Sequence, residues 1–192
     1  GNRFVVVCKS PLTDTWGDAN CGGTFGPQLK FAGYDGVLFS GAAETPVYLS
    51  IENGQAELRD AKHLWGKDSN ETEDILKEAH GEAKGRNAKK VEVACIGVAG
   101  ENLSLLSAVM NDKGRAAGRS GVGAVMGSKK LKAIAVSGSA DIPLYDPEKA
   151  KAVRKEYMKK TGGAYSLFRD YGTIGITGES VMTGDAPIKN GG

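Results

Sequence analysis

Apolar and polar positions change rhythm along this chain. Phe4-Val5-Val6-Val7-Cys8-Lys9 is apolar and β-branched, which predicts a strand over residues 4–9. Ser10 to Gly26 is polar and rich in glycine and reads as a long loop. Pro27 to Gly33 fits a short helix with Pro27 near its first turn. Short apolar runs predict strands at Val37–Ser40, Val47–Ile51 and Gln55–Arg59, and Asn53-Gly54 between the last two signals a tight hairpin. From Ser69 the rhythm turns helical, with an acidic first turn (Glu71, Glu73) and an apolar stripe of Ile75, Leu76 and Ala79 running to about His80. Glu82 to Lys90 is a polar connection. Further strands are predicted at Val91–Ile96, Leu103–Met110 and Leu131–Val136. Asp146-Pro147-Glu148 starts a helix, Asp as cap and Pro at the first position, that should reach about Lys160 and stop at Gly162-Gly163. A second short helix is expected around Tyr165 to Asp170. Strands dominate before Ser139 and helices after it. The expected fold class is therefore α+β over residues 1–140, then a linker and the start of a helical domain over 141–192.

Composition narrows the functional classes. Of 192 residues, 40% are hydrophobic and 25% charged, the balance of a globular chain. The formal charge of +2 argues against a general nucleic-acid binder, which needs a clear basic excess. The three cysteines, Cys8, Cys21 and Cys95, are far apart, there is no Cys-x-x-Cys, and there are only two histidines. A zinc site or iron–sulfur cluster built wholly from this chain is thus not expected, and the cysteine usage fits a reducing cytoplasm. No apolar run reaches the length of a membrane span. The chain opens almost directly in a strand-like run, without Met, and ends on the turn-like Lys189-Asn190-Gly191-Gly192, so it is expected to be a piece of a longer polypeptide.

The most informative segment runs from Gly114 to Ile134. Arg115 and Arg119 precede a glycine-rich stretch, and Lys129 and Lys130 follow it. Glycines allow tight turns and close backbone approach, and fixed cations beside exposed amides suit a phosphate or another compact anion. The reading assigns the Arg119 guanidinium and the amides of Ser120, Gly121, Val122 and Gly123 to such a ligand, with a helix-like turn at Ala124 to Gly127 behind them. The spacing matches neither the dinucleotide fingerprint nor the P-loop. A second stretch, Trp16 to Gly23, offers Asn20 as donor, acceptor or hard-cation ligand, although its residues taken alone make an ordinary turn. Ile96 to Asn102 reads as a strand and a turn. Cys95 reads as a small buried hydrophobe, His63 and His80 as solvated, and Trp65 and Tyr34 as core or surface anchors.

Several motifs taken together resemble the N-terminal domain of the tungsten-containing aldehyde ferredoxin oxidoreductases. They are Lys9-Ser10-Pro11-Leu12-Thr13, Gly17-Asp18-Ala19-Asn20, Leu29 to Gly36, Glu57-Leu58-Arg59-Asp60-Ala61, Leu64-Trp65-Gly66-Lys67, Ala99-Gly100-Glu101-Asn102, Met110-Asn111-Asp112 and Gly118 to Val136. Tyr171-Gly172-Thr173 and Gly184 to Asn190 are similar to the start of that family's helical part. The resemblance implies two β-sheets with a few helices forming a saddle under a tungsten, sometimes molybdenum, bis-pyranopterin. It implies oxidation of aldehydes to carboxylic acids, with electrons passing through a [4Fe–4S] cluster to ferredoxin in the cytoplasm. Carried over by motif, Arg3, Asn20, Gly22, Arg119, Ser120, Gly121, Val122 and Gly123 are expected to hold the pterin. The Asn20 side chain and the Ser120 carbonyl are expected to meet a magnesium ion between its two phosphates. Catalytic residues and cluster cysteines are expected in further domains of the same polypeptide, and the strands ahead of Arg3 are expected to be missing. Homo-oligomers are compatible with this reading. A membrane or nucleic-acid partner is not expected. The alternatives are a related tungsten–pterin enzyme acting on an acyl or aromatic thioester, and a non-catalytic anion-binding module.

Overall fold

The structure is a computed structural model that describes residues 2–83, 89–164 and 166–186. Two compact units divide the chain, Gly1–Ile142 and Pro143–Gly192.

The first unit is built on two sheets. In the smaller one, β1 (Arg3–Lys9) pairs antiparallel with β2 (Trp16–Gly22). The larger sheet has six strands: β3 (Val47–Glu52), β4 (Gln55–Asp60), β5 (Glu92–Cys95), β6 (Val109–Asn111), β7 (Arg115–Ala117) and β8 (Leu131–Ser137). Its spatial order is β4-β3-β8-β5-β6-β7, with β3 and β8 parallel and every other pair antiparallel. The helices of this unit are α1 (Phe25–Phe31), α2 (Ser69–Ala79), the single turn α3 (Val98–Glu101) and α4 (Val122–Ser128). This is the two-sheet α+β architecture expected from the sequence.

Alternation along the strands explains the layering. In β5, Ala94 packs into one apolar cluster and Val93 and Cys95 into another. The first cluster joins the large sheet to Ala19 and Cys21 of β2, Phe25 of α1, and Val122 and Met126 of α4. The second buries Leu76 of α2 and Leu64, from the turn ahead of that helix, against Tyr48, Ala133 and Ala135. A strand covered on both faces is buried throughout, as β5 is. The outermost strand, β4, is exposed along its length and carries Glu57, Arg59 and Asp60, charges that discourage pairing with another chain. Helix α2 opens with a reciprocal capping box between Asp68 and Glu71, so its cap is Asp68, one residue before the predicted start. The Asn53-Gly54 turn closes the β3–β4 hairpin, both residues at positive φ (44° and 86°).

Several expectations are corrected, among them the strand and turn read at Ile96–Asn102, where Val98–Glu101 form the helical turn α3. Ser10–Gly26 is not one loop, because it contains β2. Val37–Ser40 is irregular. Leu103–Met110 is not a strand: pairing starts only at Val109, and Leu103 has a positive φ of 58° that breaks extended backbone. His80 is buried rather than solvated; it hydrogen-bonds Tyr48 Oη at 3.3 Å and Glu52 Oε1 at 3.1 Å. His63 is exposed and Cys95 fully buried, as read. Tyr34 anchors the β3–β4 turn by donating to the Gly54 carbonyl.

The second unit comprises α5 (Pro147–Ala164), α6 (Ser166–Tyr171), a 3₁₀ turn at Gly172–Ile176 and α7 (Thr177–Met182). Helix α5 continues through the glycines expected to end it. Tyr165, part of the Glu82–Lys90 connection (84–88) and the motif residues 187–190 lie outside the described residues.

Candidate functional site

The β1–β2 hairpin turns one face inward and one outward. Inward, Phe4 meets Phe25 with ring centroids 4.9 Å apart, and Ala19 and Cys21 are buried. Outward stand Arg3, Val5, Val7 and Lys9 from β1, with Trp16, Asp18, Asn20 and Gly22 from β2. Antiparallel register sets Arg3 opposite Gly22 and Val5 opposite Asn20. Across this face the Arg3 guanidinium donates to Asn20 twice, from Nε to the side-chain oxygen and from Nη2 to the backbone carbonyl at 3.4 Å.

A second guanidinium reaches the same place from the large sheet. A tight turn after β6, with Asp112 and Lys113 at positive φ, leads into β7, whose first residue is Arg115. A methyl group placed on Gly22 would lie 3.4 Å from Arg3 Nη1 and 3.5 Å from Arg115 Nη1. Two cations therefore converge on a residue without a side chain. Asp112 balances one of them, accepting from Arg115 Nε at 3.0 Å. Beside them, Gly23 has a φ of 108°, and a Cβ there would sit 2.5 Å from Asn111 Oδ1. Asn111 is buried between the sheets and donates to Cys21 Sγ at 3.1 Å, while its Oδ1 has no partner among the described residues.

The glycine loop meets β2 further along. Ser120 and Gly121 both take left-handed backbone, φ 65° and 67°. Ser120 Oγ donates to the Asp18 carbonyl at 3.0 Å, and its Cβ lies 2.8 Å from where a Gly17 side chain would begin. The Gly123 amide donates to the Ser107 carbonyl at 3.1 Å, so it is not available to a ligand. The amides of Ser120, Gly121 and Val122 meet no acceptor among the described residues. Val122 and Gly123 are buried, whereas Arg119 is exposed.

The structure thus gathers Arg3, Asn20 and Gly22 at one end of the outer face of β2. It sets Ser120 against the inward-facing Gly17, with its Oγ on the Asp18 backbone carbonyl. The sequence places Arg115 among the cations flanking the glycines, yet its reading assigns only Arg119 to the ligand, because register decides which of the two faces the hairpin. Two guanidiniums, a carboxamide oxygen and unpartnered amides along one strand suit a phosphorylated ligand and an accompanying cation. Among the described residues, no group of three or more His, Cys, Asp or Glu stands together as a metal site, and no helix is long and apolar enough to cross a membrane.

Residues 1–138 match the family model described as aldehyde ferredoxin oxidoreductase, N-terminal domain. The chain is 47% identical over 196 residues to the tungsten-containing aldehyde ferredoxin oxidoreductase of Pyrococcus furiosus, covering 99% of this chain and 31% of that protein. It is 51% identical over 160 residues to the protein of the same name from Thermococcus kodakarensis, covering 83% and 26%. A Pyrococcus furiosus aliphatic sulfonate oxidoreductase, WOR-like subunit, is 38% identical over 199 residues, covering 99% and 32%. Among solved structures, the active site complex BamBC of benzoyl coenzyme A reductase with 1,5-dienoyl-CoA superposes with a TM-score of 0.76 at 39% identity, over 82% of this chain and 23% of that one. The chain therefore spans under a third of the length of these curated relatives.

Proposed function

Because this chain belongs to the aldehyde ferredoxin oxidoreductase family, with residues 1–138 as its N-terminal domain, we propose that it cradles the tungsten bis-pyranopterin of an aldehyde-oxidising enzyme. The observation that carries this reading is the convergence of Arg3 and Arg115 on Gly22, beside Asn20.

Two guanidiniums this close repel each other, and one carboxylate offsets only part of that. A phosphate at Gly22 would offset the rest with charge-assisted hydrogen bonds, each worth about 1.5–3 kcal/mol. Gly22 leaves room for it. The Asn20 oxygen keeps a lone pair beyond the one Arg3 uses, and with the Ser120 carbonyl it can face a magnesium ion between two phosphates. Arg119 and the amides of Ser120, Gly121 and Val122 would hold the second half of the cofactor, and Gly123 would support that loop from inside through Ser107. Val5 and Val7 are half exposed, and Trp16 is 75% exposed, giving a flat apolar surface on which a ring system can lie. The bound tungsten centre would supply two-electron redox chemistry. The cluster, the catalytic acids and bases and the ferredoxin surface belong to further domains in this reading, and the cytoplasm is its compartment.

One observation favours a second reading. The superposition on a benzoyl-CoA reductase complex is compatible with an aromatic thioester as substrate. Purified full-length protein should contain tungsten and pterin and reduce viologen dye with aldehydes. Dye chemistry that responds to an aromatic thioester and not to aldehydes would select the second reading, and protein free of pterin would overturn both.

A further inference from the structure

Two motifs take no part in the site above, Leu64-Trp65-Gly66-Lys67 and Ala99-Gly100-Glu101-Asn102. They meet at one buried charge. Lys132 on β8 has a fully buried side chain, and its Nζ lies 2.5 Å from Glu101 Oε1 and donates to the Lys67 carbonyl at 2.8 Å. The Glu101 carboxylate, 5% exposed, also accepts the Gly66 amide on both oxygens, at 3.0 and 2.8 Å. A buried ion pair is a poor way to gain stability, since an apolar pair of the same volume often does as well or better. It is directional, however. This one ties α3 to the sheet on one side and to the 66–67 turn on the other.

What rests on α3 is α4, the helix that begins in the glycine loop. The two touch backbone to backbone. A Cβ on Gly127 would fall 1.9 Å from the Gly100 carbonyl oxygen, and one on Gly100 would fall 3.1 Å from the Gly123 oxygen. With backbone meeting backbone at Gly123 and Gly127, movement of α3 passes directly to α4, and so to the loop ahead of it in which Ser120 bonds the Asp18 carbonyl of β2.

We propose that Lys132 and Glu101 are positioning residues: they hold α3, and through it the Ser120–Gly123 loop, in place against β2. The part concerning α4 stands by itself, while its consequence for a bound cofactor rests on the function proposed above. The test uses the full-length protein with the double substitution Lys132→Met and Glu101→Leu, which keeps volume and removes both charges. The expected result is a folded protein with a lowered melting temperature, since the Gly66 amide and the Lys67 carbonyl lose their partners, amide exchange over residues 119–128 faster by about tenfold while β3 and β5 keep their protection, and a tungsten content well below the wild-type level. A merely structural pair would change exchange everywhere or nowhere, and unchanged protection at 119–128 would overturn the proposal. If the double variant does not fold, Glu101→Gln carries the same comparison, with an accelerated 119–128 segment expected and an unaffected one contradicting it. Wild-type protein without tungsten and pterin would overturn the function reading and the cofactor consequence together, and the exchange comparison would still decide the positioning role.

Discussion

Arg115 and Arg119 are the same residue type four positions apart, yet they stand in different surroundings. Both are exposed, but Arg115 shares Gly22 with Arg3 and pairs with Asp112. Arg115→Ala in the full-length protein should therefore lower tungsten and pterin content more than Arg119→Ala does, with little change in melting temperature for either. Equal retention in both variants would contradict the assignment. Burial decides two other side chains. Desolvation pushes the Cys95 thiol up to about 12, and its Sγ donates to the Ser69 carbonyl. It should resist alkylation in the native protein at pH 8 and react only after denaturation, as peptide mapping would show. Glu92 has its pKa raised, first by burial, with a hydrogen bond from Thr24 and the charge of Lys77 only partly opposing. A carboxyl whose folded pKa lies above its unfolded one stabilises the fold in acid, and that contribution is lost as pH rises through the folded pKa. Glu92→Gln should accordingly raise the melting temperature at pH 7 and lose this advantage below the unfolded carboxyl range. A lower melting temperature at pH 7 would count against the account. At this scale the resemblance supplied Arg3, Asn20 and Gly22. Arg115 and the buried His80 were illegible because cross-strand register and tertiary burial, not local sequence, choose between equivalent polar residues.

Among the elements, the α3–α4 contact is the tightest. An exposed helix interior gains about 0.5–1 kcal/mol from Gly→Ala. At Gly127 the new methyl would meet the Gly100 carbonyl at 1.9 Å, so overpacking wins and Gly127→Ala should destabilise by about 1–3 kcal/mol in denaturant unfolding. A stabilised variant would mean that α3 and α4 do not pack as described. About half of the elements were readable: β1, β3, β4, β5, β8, α2 and the start of α5 follow from periodicity, capping and turn residues. Strand β2 was not, because the residues it buries are Gly17, Ala19 and Cys21, too small to make an apolar rhythm, and Asp18 and Asn20 look like turn residues. Leu103 to Ala108 failed in the opposite sense. Leu105 and Leu106 suggest a strand, yet they are exposed, and the segment instead supplies the Ser107 carbonyl that holds Gly123.

For the whole molecule, the outer face of β2 and a neighbouring apolar cavity of about 910 Å³ between β1, α1 and α4 are open in the 192-residue chain. Val5, Leu38 and Trp16 stand exposed around them. Exposed apolar surface of this kind favours association, so the isolated chain should run larger than a monomer in light scattering. A clean monomer at high concentration would argue that these surfaces need no cover. The central claim, that two arginines from two sheets hold a phosphorylated tungsten cofactor at Gly22, is tested most directly by tungsten and pterin-phosphate stoichiometry in the full-length protein, for wild type and for the Arg3→Ala, Arg115→Ala double variant. The account predicts loaded wild-type protein and a folded variant that has lost most of both. A variant with wild-type metal and pterin content would contradict it.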